Sequence, residues 1–232
     1  MVSRILRHGA LASLLLASLA LPACADETPK VIPAAQIDEA KPAQAGQETA
    51  ILSGGCFWGM QGVFQHVKGV TQVWAGYSGG ARTTAQYEIV STGTTGHAES
   101  IKIEFDPKQI SYGEILRLYF SVATDPTELN YQGPDEGTQY RSDIFYTSDM
   151  QKRVAESYIK QLGAAHIYAA PIVTRVDKFA AFYPAEDYHQ DYLINHPDSS
   201  YIATFDLPKV AAFKRLYAAF YREAPVMVHA RS

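Results

Sequence analysis

Thr49-Ala50-Ile51-Leu52-Ser53-Gly54-Gly55-Cys56-Phe57-Trp58-Gly59 passes from a strand to a helix across a pair of glycines. Thr49 to Leu52 is a short apolar run that reads as a strand. Met60-Gln61-Gly62-Val63-Phe64-Gln65-His66-Val67 reads as a helix with one apolar face. Cys56 therefore stands at a strand-to-helix turn, at or near a helix N-terminus. Unpaired backbone N–H groups and the positive end of the helix dipole point at such a position. Both favour the thiolate over the thiol, and the thiolate is the nucleophile. The glycines let the chain turn tightly and let another molecule come close. Phe57 and Trp58 are larger than a merely structural thiol requires, and together they can wall an apolar pocket beside the sulfur. A buried, inert thiol is the plainer alternative.

Beyond this turn, strand and helix patterns alternate. Gly69 to Tyr77 reads as a second strand, ended by Ser78-Gly79-Gly80, and Tyr87 to Ser91 as a short helix or turn. His97 to Phe105 alternates cleanly as a strand. Tyr112 to Val122 reads as a helix, with Ser111 as its cap and Glu114 three residues on. Asp143 to Tyr146 and Pro171 to Val176 read as strands, and Asp149 to Leu162 as a helix between them. Glu186 to Asn195 reads as a helix closed by His196-Pro197, and Pro208 to Tyr221 as a final amphipathic helix. This order predicts an α/β or α+β layer fold without fixing the strand order. One domain is expected over residues 49–225, long enough for a full core, with residues 226–232 as a tail. A monomer is the default, because no extra apolar helix advertises an interface.

Glu99 is the second informative residue. Side chains two apart on a strand face the same way, so Glu99 shares a face with Ile101, Ile103 and Phe105, while Ser100, Lys102 and Glu104 face the other way. A carboxyl on the core side loses solvation and keeps its proton, and a protonated carboxyl is a general acid. The other reading is a solvated or lysine-paired glutamate at a strand end. Asp135 and Tyr140 lie on the turn-rich segment Gly133 to Ser142, where functional groups often sit. His189 and Tyr192, three apart, share a face of the predicted helix. His97, Glu99 and His189 contain no close histidine pair, so no metal is expected. A few of the fifteen tyrosines have the reach to donate hydrogen bonds into an apolar pocket.

The first residues carry a different signal. Arg4 and Arg7 precede an uncharged Leu- and Ala-rich run, Ala10 to Leu21, which is shorter than the about 20 apolar residues of a membrane span. Small residues follow at Ala23-Cys24-Ala25. Residues 1–25 thus have the layout of a secretory signal. Cleavage after Ala25 would discard Cys24. Alternatively, Leu21-Pro22-Ala23-Cys24 resembles a lipoprotein box, and Cys24 would carry lipid and hold the protein at a membrane. By either route Cys56 is the one free thiol of an exported, periplasmic protein. Residues 26–48, rich in Pro, Ala, Gln and charge, read as a flexible tether. The net charge of −4 and pI near 6.0, with no basic stripe, argue against nucleic acid as a partner.

Five segments, in order and at the family's spacings, resemble the A-class peptide methionine sulfoxide reductases. They are Gly55-Cys56-Phe57-Trp58-Gly59, Gly76-Tyr77-Ser78-Gly79-Gly80, Gly96-His97-Ala98-Glu99, Gly137-Thr138-Gln139-Tyr140-Arg141-Ser142 and Ala185-Glu186-Asp187-Tyr188-His189-Gln190. The resemblance covers about Thr49 to Tyr221. It implies a two-layer α+β sandwich with a central mixed sheet, and reduction of methionine S-sulfoxide to methionine without a cofactor. It also implies roles: Cys56 as nucleophile, Glu99 as acid, and Phe57 and Trp58 against the substrate methyl group. Tyr87 and Tyr140 would bind the sulfoxide oxygen, Asp135 would position substrate, and His189 and Tyr192 would be outlying pocket residues. Many relatives carry resolving cysteines in a C-terminal tail, and this tail has none. The resemblance therefore implies an external thiol donor, thioredoxin-like or of glutathione type. Two other classes stay open: another thiol enzyme, such as a peroxidase or cysteine hydrolase, and a non-enzymatic module that binds methionine or its oxidised form.

Overall fold

The computed structural model describes residues 29–229, so the predicted signal at residues 1–25 lies outside the described residues. In chain order, β1 (Glu48–Ser53) leads to α1 (Phe57–Gln65), β2 (Val70–Ser78), the single turn α2 (Tyr87–Val90), β3 (Ala98–Phe105) and α3 (Tyr112–Leu118). A small hairpin, β4 (Tyr131–Gln132) and β5 (Asp135–Glu136), precedes β6 (Asp143–Tyr146), α4 (Asp149–Ala164), β7 (Arg175–Lys178), β8 (Phe182–Pro184), the single turn α5 (Tyr192–Asn195) and α6 (Leu207–Leu216). The main sheet runs β7-β6-β1-β3-β2-β8. Only β6 and β7 pair in parallel; the other neighbours are antiparallel, so the sheet is mixed and the fold α+β, as expected.

Alternation on β3 decides which face becomes core. Ile101, Ile103 and Phe105 are fully buried, each burial stabilising by about 1.5–3 kcal/mol. Lys102 and Glu104 face the other way, partly exposed, and pair at 2.8 Å. Helix α1 crosses the apolar face, and two of its glycines let the segments of Leu193 and Asp206 pack closely against it. A Cβ at Gly59 would overlap the Asp206 carboxylate, and one at Gly62 would stand 2.6 Å from Leu193. The cap read for α3 is present as a full capping box between Ser111 and Glu114. The helix then widens into a π turn at Tyr119–Ala123.

Several elements differ from the sequence reading, each for a local reason. The predicted helix Glu186–Asn195 is broken. A 3-10 turn covers Asp187–His189, and α5 begins only after Asp191, which adopts φ 57°. Asp191 is buried and its carboxylate accepts from Val228 and His229 N–H, at 3.0 Å each for the shorter contacts, and from Gln65 Nε2 at 2.6 Å. That side chain serves the C-terminal tail, so the helix cannot run through it. The strand predicted at Pro171–Val176 forms instead at Arg175–Lys178, because Val173 N–H is taken by the Pro126 carbonyl at 2.8 Å before pairing with β6 begins. The last helix ends at Leu216, and β8 and the β4–β5 hairpin were not foreseen.

The largest difference concerns the tether. From Pro29 on it is a strap lying on α3, α4 and α6. Ile32 is 1 % exposed; its N–H donates to Tyr217 Oη at 3.2 Å and its carbonyl accepts from Arg117 Nε at 2.7 Å. Asp38 accepts from Gly113 N–H at 2.8 Å and from the Ser111 hydroxyl. Polar composition suggested disorder, but side chains of the helices satisfy this backbone and one isoleucine anchors it.

Candidate active site

Cys56 is the N-cap residue of α1, and Gly55 before it has φ 95°, a conformation that favours glycine. Gly55 N–H donates to the Tyr140 carbonyl at 3.2 Å, which ties the cysteine loop to the loop of Tyr140. A Cβ on Gly55 would stand 2.8 Å from Gln132 Cβ, so the turn leaves no room for a side chain. The Cys56 side chain makes no capping hydrogen bond to α1, and the Trp58 backbone N–H near the sulfur only partly favours its thiolate.

The expected thiolate is not the resting state. Burial, then the nearby Glu99, Asp206 and Asp135 carboxylates, push the Cys56 thiol well above the ordinary range, and they outweigh the Trp58 N–H. A helix end in sequence carries no information on enclosure, and Cys56 is only 8 % exposed.

Glu99 is 3 % exposed and projects from the core face of β3. Its Oε2 accepts from Phe57 N–H at 3.0 Å, one residue from the sulfur. Burial, reinforced by Asp135 and Asp206, raises its pKa to about 8 against the lowering effect of the Phe57 N–H. Glu99 is therefore mostly neutral at pH 7 and holds a proton beside Cys56. Of the two readings open from sequence, the geometry supports the buried acid.

Aromatic rings form the wall. Trp58 stacks on Tyr192 with centroids 3.9 Å apart and donates from Nε1 to His189 Nδ1 at 3.1 Å. Nδ1 being an acceptor, a neutral ring carries its proton on Nε2, and burial lowers the His189 pKa. His189 also lies 5.0 Å from Phe57 and 4.4 Å from Tyr87, centroid to centroid. His189 and Tyr192 thus meet on the same tryptophan, although not through the shared helical face that sequence suggested. Burial, then Glu99, raises the pKa of both Tyr87 and Tyr140, leaving both hydroxyls as donors. Asp135 accepts a hydrogen bond from the Tyr201 hydroxyl, and Tyr201 sets its edge against Trp58 with centroids 6.0 Å apart.

Four residues of this constellation escaped the sequence reading. Tyr201 follows Ser199-Ser200 and carries no periodic signal. Asp206 is fully buried behind Gly59, its Oδ1 3.6 Å from Lys209 Nζ. Glu186 accepts from the Tyr77 hydroxyl at 2.9 Å and from Tyr87 N–H at 3.0 Å, and so sets the start of α2. Arg141 donates from Nη1 to the His97 and Thr138 carbonyls at 3.2 and 3.0 Å, from Nη2 to Gly96 at 3.1 Å, and from Nε to Asp143 at 3.0 Å. It clasps the backbone just before Glu99 and just before Tyr140. A buried guanidinium needs such partners, and its planar fork can reach them together. Both Glu186 and Arg141 stand inside the motifs quoted above, where a charge beside functional residues is the available signal.

The model of the family described as peptide methionine sulfoxide reductase matches residues 48–220. The chain belongs to that family. It is 59 % identical over 186 residues to the peptide methionine sulfoxide reductase MsrA 2 of Mesorhizobium japonicum, covering 80 % of this chain and 95 % of that one. It is 49 % identical to the MsrA 2 of Synechocystis sp., over 82 % of this chain and 89 % of that one. Among solved structures, it is similar to methionine sulfoxide reductase A of Corynebacterium diphtheriae, with TM-score 0.57, 32 % identity, and coverage of 74 % of this chain and 84 % of that one. The reduced form of Mxr1 from Saccharomyces cerevisiae aligns with TM-score 0.60 at 29 % identity, over 73 % of this chain and 94 % of that one. The strap at residues 29–47 lies ahead of the residues that the family model matches.

Proposed function

We propose that this reductase converts methionine S-sulfoxide in proteins to methionine, with Cys56 as nucleophile and Glu99 as acid. The observation that carries this reading is a buried, proton-holding carboxyl bonded to the N–H of the residue after the cysteine. A sulfoxide sulfur is a poor electrophile until its oxygen is protonated. Glu99 delivers that proton as Cys56 Sγ bonds to the substrate sulfur, and the thiol proton replaces the one Glu99 gave. Tyr87 and Tyr140 donate to the oxygen as charge shifts onto it. Collapse breaks the new S–S bond, transfers the hydroxyl to Cys56 and releases methionine. Cys56 is oxidised by two electrons to a sulfenic acid and the sulfoxide is reduced by two. Phe57 and Trp58 hold the methyl group, Asp135 positions the substrate, and His189 and Tyr192 hold the tryptophan. A cysteine hydrolase would need a histidine base at the sulfur. Here His189 Nδ1 is bonded to Trp58, and the Glu99 carboxyl is bonded to the N–H of the residue after the cysteine.

Cys56 is the free cysteine of the described residues, and it is buried. The sulfenic acid is therefore resolved from outside, by a thioredoxin-like or glutathione-type thiol: two donor thiols become a disulfide, Cys56 returns to the thiol and water leaves. The basic start and apolar run of residues 1–25 support export to the periplasm, with lipid at Cys24 as the second route. Deleting residues 1–48 to test Cys24 would also remove the docked strap, so Cys24→Ser in the full chain is the cleaner variant.

The test is one turnover without reductant, on a blocked methionine S-sulfoxide, following product and intact protein mass. The expected result is one methionine per chain and a trappable sulfenic acid on Cys56. No methionine, beside an active control enzyme, removes the catalytic reading and leaves the binding module. A disulfide product lost in Cys24→Ser brings Cys24 into the mechanism.

A further inference from the structure

Residues 29–47 connect to the cysteine loop through one intervening element, the π turn at Tyr119–Ala123. The Lys30 carbonyl accepts from the Ser121 hydroxyl, inside the π turn at Tyr119–Ala123. Lys30 Nζ lies 5.1 Å over the Tyr168 ring, and the Tyr168 hydroxyl donates to the Phe120 carbonyl of the same turn at 2.6 Å. The Pro33 carbonyl accepts from Tyr158, whose ring meets Phe120 edge-on with centroids 5.8 Å apart. From its other side, the turn reaches the site. The Tyr119 hydroxyl, fully buried, donates to the Ser53 carbonyl at 2.7 Å. Thr124, whose N–H donates to the Tyr119 carbonyl at 3.2 Å, packs so closely on Gly54 that a Cβ there would lie 2.7 Å from its Oγ1. Ser53 and Gly54 lead directly into Gly55 and Cys56. A π turn leaves carbonyls and side chains displaced from the regular helical ladder, and such turns recur at functional sites. Here the strap occupies one side of the turn and the cysteine loop the other.

We propose that residues 29–47 are a positioning element of the reductase site: the strap fixes the π turn at Tyr119–Ala123, and the turn fixes the Ser53–Cys56 loop. The element lies ahead of the residues that the family model matches. For catalysis it rests on the reading of Cys56 as nucleophile; for geometry it does not.

The test uses two variants of the full chain. Ile32→Asp puts a charge where Ile32 is buried and lifts the strap, and Ser121→Ala removes the bond to Lys30 alone. Three quantities are read well below the melting temperature: the single-turnover rate at saturating methionine S-sulfoxide, the rate of Cys56 alkylation by iodoacetamide, and Tm. Misplacing a reacting group by about 1 Å costs on the order of a hundredfold, so Ile32→Asp should slow turnover by about ten- to a hundredfold. It should also speed alkylation severalfold as the sulfur becomes more accessible, and Ile32→Val should restore both rates. Ser121→Ala should move both rates in the same directions by a smaller factor, and it decides the matter if Ile32→Asp does not fold. A lowered Tm with both rates unchanged would overturn the proposal and leave the strap as scaffold. If the unsubstituted chain does not reduce the sulfoxide, the function reading fails, and alkylation still reports whether the strap sets the cysteine loop.

Discussion

Glu99→Gln is expected to slow the first chemical step by about 10²–10⁴-fold at neutral pH, the usual contribution of a positioned general acid. The amide matches the carboxyl in size and its oxygen can still accept from Phe57 N–H, now at 3.0 Å from Glu99. It has no acidic proton to give. Burial already keeps Glu99 near neutral, with a pKa of about 8, so the exchange leaves the charge of the site almost unchanged at pH 7. What disappears is the proton alone. Single-turnover rates on a blocked methionine S-sulfoxide, with substrate affinity measured in parallel, separate this from damage to the pocket. Affinity should change little while the rate collapses, and an unchanged rate would contradict the acid role.

Cys56→Ser is expected to remove turnover entirely, a loss of about 10⁶-fold or more on the scale of enzymatic accelerations. A serine oxygen cannot take the two-electron oxidation that a thiol sulfur takes on the way to a sulfenic acid. The substitution is otherwise small, and Ser is a favourable N-cap residue, so α1 should keep its start. Calorimetry with a sulfoxide peptide should find binding retained, because the aromatic wall of Phe57, Trp58, Tyr192 and His189 does not depend on the sulfur. Residual sulfoxide reduction in this variant, with contaminating enzyme excluded, would contradict the nucleophile assignment.

Much of this site was legible in the sequence because it rests on local rules. The strand–glycine–cysteine–helix turn placed Cys56 at a helix N-terminus, and strand parity alone put Glu99 on the core face with Ile101 and Ile103. The state of the sulfur was not legible. It depends on groups brought together only by the folded chain: Gln132 of β4 against Gly55, and the Glu99, Asp206 and Asp135 carboxylates near the buried sulfur. For the same reason the helix through His189 and Tyr192 was drawn continuous. Its break depends on Asp191 binding backbone N–H groups of Val228 and His229, nearly forty residues away, a contact recorded at separations of 37 and 38 residues. The strap failed differently. Composition describes the average tendency of residues 26–48, whereas docking hangs on Ile32, Asp38 and a few carbonyls that find donors on three helices. Arg141 and Glu186 were visible as letters inside motifs, but that they hold backbone rather than substrate became clear only from where their atoms lie.

The central claim is that a buried, neutral Glu99 supplies the proton, and the pH dependence of the single-turnover rate tests it most directly. Glu99 must be protonated to act, so its contribution is full below its pKa of about 8 and is lost as pH rises through it. By pH 9 only about a tenth of the acid form remains. Burial holds Cys56 well above the ordinary thiol range, so its ionisation does not produce a limb in this window. The account predicts a rate that falls near pH 8 in the unsubstituted enzyme, and a slow rate without that limb in Glu99→Gln. A rate that is flat or rising through pH 9, or the same limb in both proteins, would contradict it.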